Sequence, residues 1–126
     1  MTAVSVRYIV DDVDAAVDFY RDALEFEIER RPAPGFAMLV RDGVQLLLSD
    51  PAGPGGAAQP MPDGRRPEPG GWNRIRIEVN ELGARVEELR SGGAQFRGDI
   101  VHGRGGDQIL LEDPSGNPVE LFQPAR

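Results

Sequence analysis

The sequence has no cysteine and no lysine, only one histidine and one tryptophan, and no long apolar run. Each absence removes a class of chemistry. Without cysteine there are no disulfides, no thiolate nucleophile and no Cys-ligated zinc. A membrane-spanning helix needs about 18 or more consecutive apolar residues, and none exist here. Residues 1–10 lack the basic start, long apolar stretch and small-residue cleavage site of a signal peptide, so the expectation is a cytoplasmic protein with no membrane partner. The net charge of −7 argues against nucleic-acid partners, which need a basic face to displace counterions from phosphates.

What remains is ordinary for a globular chain. A length of 126 residues fits one domain spanning 1–126, because two separate cores would each be marginal at this size. The hydrophobic fraction is 40% and the charged fraction 28%, and all fourteen basic residues are arginine.

An internal repeat organises the chain. A shift of 69 residues sets Val10, Val13, Ala15, Val17, Tyr20 and Arg21 onto Val79, Leu82, Ala84, Val86, Leu89 and Arg90. Each copy opens with an alternating strand, passes a polar cap (Asp11-Asp12, then Asn80-Glu81) and continues as an amphipathic helix. The first helix carries Val13, Ala16, Val17, Tyr20 and Leu24 at helical spacing; the second carries Leu82, Val86 and Leu89 and ends at Gly92-Gly93. Strand patterns follow at 26–30, 36–40 and 44–48, and again at 95–100, 108–112 and 118–122. The fold class is therefore α+β, two tandem β-α-β-β-β modules: module one at 1–48, a linker at 49–71 and module two at 72–126. The linker holds six prolines and six glycines and is expected to form neither strand nor helix; its length suits a lid or a disordered segment.

Two phrases carry a family resemblance. Val10-Asp11-Asp12-Val13 with Asp18-Phe19-Tyr20-Arg21-Asp22-Ala23-Leu24, and the later Glu112-Asp113-Pro114-Ser115-Gly116-Asn117-Pro118-Val119-Glu120-Leu121, resemble hallmarks of the vicinal-oxygen-chelate superfamily: glyoxalases, bleomycin-resistance proteins and extradiol dioxygenases. One departure is Glu25, which stands where that family usually has glycine. The resemblance implies a curved, half-barrel mixed sheet with the helices outside. It also implies a metal site, in the metal-dependent members, built from the first and last strand of each module. The corresponding positions here are Ser5, Gln45 (or Leu47, two residues along), Arg74 and Glu120. Only Glu120 is a good ligand, and an arginine would repel a cation, so no metal and no other cofactor is expected. The lone histidine, His102, lies near Gly103 and Gly105-Gly106 and reads as part of a loop.

Strand alternation puts Ser5 and Arg7 on one face of the first strand, and Trp72, Arg74, Arg76 and Glu78 on the equivalent face of the second module's first strand. With Gln45, Glu120 and Phe122 these residues would line a polar groove with aromatic surfaces, suited to a planar, polar organic ligand. The alternative is an Arg74–Glu120 ion pair that only fills the space. The resemblance thus implies a non-catalytic binder of the bleomycin-resistance type, sequestering a natural product or antibiotic, with Ser5, Arg7, Gln45, Trp72, Arg74, Arg76, Glu120 and Phe122 as ligand-binding residues and none catalytic. The rival is a lyase, isomerase or dioxygenase using unconventional metal ligands, or Glu120 as a general base. Open strand edges lead to the expectation of a homodimer.

Overall fold

The computed structural model describes residues 4–52 and 56–126. The chain divides after Gly70 into two compact units.

Unit one contains β1 (Ser5–Ile9), α1 (Val13–Asp22), β2 (Glu27–Ala33), β3 (Phe36–Arg41) and β4 (Val44–Ser49), with strand order β1-β4-β3-β2. Only the β1–β4 pair is parallel. The helix starts where it does because Asp12 is extended and its carboxylate accepts the Ala15 N–H at 3.1 Å, satisfying one orphan donor of the first turn. Val13, Ala16, Val17 and Tyr20 fall on one stripe and are buried, against Tyr8 and Val10 from the first strand region and Leu39, Leu46 and Leu48 from β3 and β4 in the same core. After the helix the chain turns through Glu25 at φ 61°, the left-handed region that costs a side-chain-bearing residue about 1–2 kcal/mol. This explains why a glycine is usual there. The guanidinium of Arg41 donates to the Leu24 carbonyl at 2.8 Å, fastening that turn.

Unit two contains β5 (Ile75–Glu78), α2 (Leu82–Ser91), β6 (Gln95–Phe96), β7 (Val101–His102), β8 (Gly106–Glu112) and β9 (Pro118–Pro124). Its sheet runs β5-β9-β8-β6, with β7 also paired to β8. The two helices begin and end 69 residues apart, as the repeat requires. Capping differs, because Glu81 makes no side-chain cap and the Leu82 N–H is instead accepted by Gln123 Oε1 at 2.8 Å. The hairpin between β8 and β9 is built around Asp113. Its carboxylate accepts from the Ser115 and Asn117 backbone N–H groups at 2.8 and 2.9 Å and from Asn117 Nδ2 at 3.0 Å. Gly116 takes φ 87° at the turn.

Several expectations need correction. The strand expected over 95–100 is two short strands, β6 and β7, with Gly98-Asp99 between them. His102 therefore lies on a strand, not in a loop, and its Nδ1 meets Asp107 Oδ1 at 2.8 Å. The linker was read as free of regular structure, yet β4 extends into Ser49 and residues Gly56–Ala58 form a short 3₁₀ turn whose Ala58 is buried. Strand β2 runs on through Pro32, which is tolerated because β2 is a sheet edge with irregular register. No helix among the described residues is long and apolar enough to cross a membrane.

Candidate functional site

In unit two, the parallel pairing of β5 and β9 sets Arg76 opposite Glu120 and Glu78 opposite Phe122. Yet Arg74, one residue before the strand, takes the carboxylate. Its Nε and Nη2 both reach Glu120 Oε1, at 3.1 and 2.8 Å, while Nη1 donates to the Trp72 carbonyl at 3.1 Å. Glu120 is only 8% exposed, and among the described residues its second oxygen has no partner. Arg76 is left to stack, its guanidinium carbon 4.3 Å from the centre of the Phe122 ring. Thus the ion pair offered above as the alternative reading is formed, and it leaves Arg76 without a carboxylate among the described residues.

Trp72 is 68% exposed, so it does not plug a core. One face of its indole is covered by Arg97, at 4.6 Å. Arg97 is the residue that sequence reasoning missed. Its Nε donates to Glu112 at 2.8 Å, Nη1 to the Gly71 carbonyl at 2.6 Å and Nη2 to the Gly116 carbonyl at 2.8 Å. It therefore ties the start of unit two, the Asp113 hairpin and Trp72 together. Nothing in the pattern of a lone arginine after β6 signals a reach of 26 residues back along the chain.

In unit one, Ser5 lies opposite Gln45, and Ser5 Oγ donates to Gln45 Oε1 at 2.5 Å. Gln45 Nε2 in turn faces the Glu29 carboxylate at 3.3–3.4 Å. Arg7 Nη1 donates to Ser49 Oγ at 2.7 Å, and its guanidinium carbon stands 5.9 Å from the Phe36 ring centre. Here the structure holds a cavity of about 360 Å³, lined by Arg7, Gly35, Phe36, Ser49, Asp50 and the linker residues Ala57 and Ala58.

Register also settles which residue of β4 corresponds to Glu120. Arg7 pairs with Leu47, as Arg76 pairs with Glu120, and Arg7 and Arg76 are 69 residues apart. Leu47, not Gln45, is the counterpart, and Gln45 sits one pleat away on the same face. The donor set at the four ligand positions is then serine, leucine, arginine and one carboxylate already held by that arginine. Such a set does not fit a divalent cation, which needs several anionic or imidazole donors. Among the described residues no three of His, Cys, Asp and Glu come together.

A duplicated β-α-β-β-β frame with polar strands opposite the helix-covered face defines a ligand-holding α+β architecture. The chain belongs to the Glyoxalase/Bleomycin resistance protein/Dioxygenase superfamily, whose sequence model matches residues 2–121. Among solved structures it is similar to a member of that superfamily from Sphaerobacter thermophilus DSM 20745, with TM-score 0.74 and 26% identity, covering 98% of this chain and 97% of that one. It also resembles lactoylglutathione lyase from Agrobacterium tumefaciens (TM-score 0.74, 21% identity, 97% and 92% covered) and TnmS3, an antibiotic binding protein from Streptomyces sp. CB03234 (TM-score 0.72, 21% identity, 99% and 97% covered). No curated protein matches the sequence significantly. An enzyme and a binding protein share this fold, so function has to be argued from side chains.

Proposed function

We propose that this chain is a small-molecule binding protein that sequesters a planar, polar natural product without a metal. The observation that carries the reading is the Arg74–Glu120 ion pair, 2.8 Å at its shorter contact. It neutralises the one carboxylate available at the family's metal positions and leaves hydrogen bonding and stacking as the means of holding a ligand. Trp72, Arg76 on Phe122, and the Ser5, Arg7 and Gln45 side chains supply those means. The antibiotic-binding function printed for TnmS3 is in keeping with this reading, and the lyase of the same fold marks the rival. A homodimer belongs to the same proposal, since β1 and β2 are edge strands of their sheet.

The test is a thermal-shift screen of planar, polar natural products, run with and without a chelator. A ligand at about a hundred times its Kd adds roughly 2.7 kcal/mol to stability, so a true ligand raises the melting temperature visibly. The expected result is at least one such ligand whose effect is the same in chelator. A shift that disappears in chelator and returns with added zinc or manganese would favour the metal-dependent enzyme.

A further inference from the structure

We propose that the unit-one cavity is a carboxylate site, and that the ligand is a singly charged aromatic acid whose carboxylate is taken by Arg7. This rests on the binding function above and names the chemical class of ligand that one part of the chain would hold.

The argument begins with how the other arginines are used. Nine of the fourteen make ion pairs with carboxylates in the structure. In so acidic a chain, an arginine lining a cavity without such a partner is informative. Arg7 has none among the described residues; its single polar partner is the Ser49 hydroxyl, bonded through Nη1. A guanidinium carries five N–H donors in a planar fork, so Nε and Nη2 remain to offer a two-point grip to a carboxylate. Its repeat counterpart, Arg76, is also stacked on a phenylalanine and also lacks a carboxylate. The retention of arginine at both positions is therefore not explained by internal ion pairing.

The rest of the lining sets the body of the ligand. Phe36, Gly35, Ala57 and Ala58 present apolar surface beside Arg7, which suits a flat ring. At about 360 Å³ the cavity is at the small end of the roughly 300–1,000 Å³ range of ligand sites, so one ring or a fused pair fits. Asp50 lines the same cavity, and its Oδ1 already accepts the Ala52 N–H at 2.8 Å. A carboxylate so near disfavours a dianion such as a phosphate monoester and leaves a monoanion as the better match.

The test uses the full chain with 2-naphthoate and its neutral analogue 2-naphthamide, measured by titration calorimetry. Naphthoate is expected to bind at least about tenfold more tightly than the amide. Arg7→Gln should weaken naphthoate by about ten- to a hundredfold, as expected for losing charge-assisted hydrogen bonds, and leave the amide unchanged. Arg7→Lys, which keeps the charge but loses the fork, should fall between the two. Because Arg7 is exposed, both variants should melt with the parent; if Arg7→Gln does not fold, the lysine variant carries the comparison. Equal affinity for acid and amide, affinity untouched by Arg7→Gln, or no naphthoate binding at millimolar concentration would each overturn the assignment. A neutral natural product that binds parent and Arg7→Gln alike would keep the binding function and overturn only the anion site.

Discussion

Gly106→Ala should destabilise the second unit by about 3 kcal/mol or more, or prevent its folding. Gly106 opens β8 opposite Pro124 with φ 149°, a conformation that side-chain-bearing residues rarely adopt. A Cβ there would lie 2.1 Å from the Gln123 carbonyl oxygen, 2.9 Å from the tip of the Phe122 ring and 2.9 Å from Pro124 Cα. Two of the three obstacles are backbone, so relief requires β8 and β9 to separate. Overpacking of this kind costs roughly 1–3 kcal/mol and an unfavourable backbone region a similar amount again. Phe122 would be displaced as well, and with it the platform under Arg76, so ligand affinity should fall with stability. Denaturant unfolding measures the cost. Gly105→Ala is the control, because nothing lies within 4 Å of a Cβ at that position, and it should change stability by no more than about 0.5 kcal/mol. A Gly106→Ala chain as stable as the parent would show that the close approach of β8 to β9 is not required.

The second large effect lies in unit one. Tyr20→Ala is expected to cost about 3–5 kcal/mol, the range for emptying a buried aromatic site. Tyr20 is fully buried and meets Tyr8, Phe19 and Phe26 edge to face, with ring centres 6.1, 5.1 and 5.7 Å away. Those three rings come from β1, from α1 and from the segment after the helix, so Tyr20 is where helix and sheet are joined. Set against a typical total of about 5–15 kcal/mol, the loss leaves little margin. Equilibrium unfolding in urea checks it, and a loss below about 1 kcal/mol would mean that the neighbouring rings collapse into the space.

These two sites differ in how visible they are in the sequence. Tyr20 belongs to the stripe Val13, Ala16, Val17, Tyr20, and helical periodicity marks which side is buried. The same logic placed both helices 69 residues apart and gave β3, β4, β8 and β9 to within a few residues. Gly106 gave no such cue. It stands in a glycine-rich stretch around His102 that reads as loop, and only the approach of Phe122 and Gln123 makes it specific. Arg97 was hidden for the same reason: its partners at Gly71, Glu112 and Gly116 are brought together by folding, not by spacing. Glu120 was legible from the hairpin phrase, and its pairing with Arg74 was foreseeable because alternation put both on one face. The parallel register was less so, since a two-residue choice between Gln45 and Leu47 leaves the face unchanged and only the observed pairing of Arg7 with Leu47 decides it.

The central claim is that a ligand is held by stacking and hydrogen bonds, without metal, and Trp72 is the place to test it. It is the only tryptophan, it is 68% exposed, and one indole face is backed by Arg97 while the exposure leaves room on the other. The measurement is tryptophan fluorescence during titration with a ligand from the thermal-shift screen, for the parent and for Trp72→Ala by a matched affinity assay. Ligand should quench or shift the parent's emission, and Trp72→Ala should bind about tenfold or more weakly, from stacking worth about 0.5–1.5 kcal/mol plus lost apolar contact. Its melting temperature should stay that of the parent. Emission unchanged at saturation, or a Trp72→Ala chain that binds with full affinity, would contradict the account.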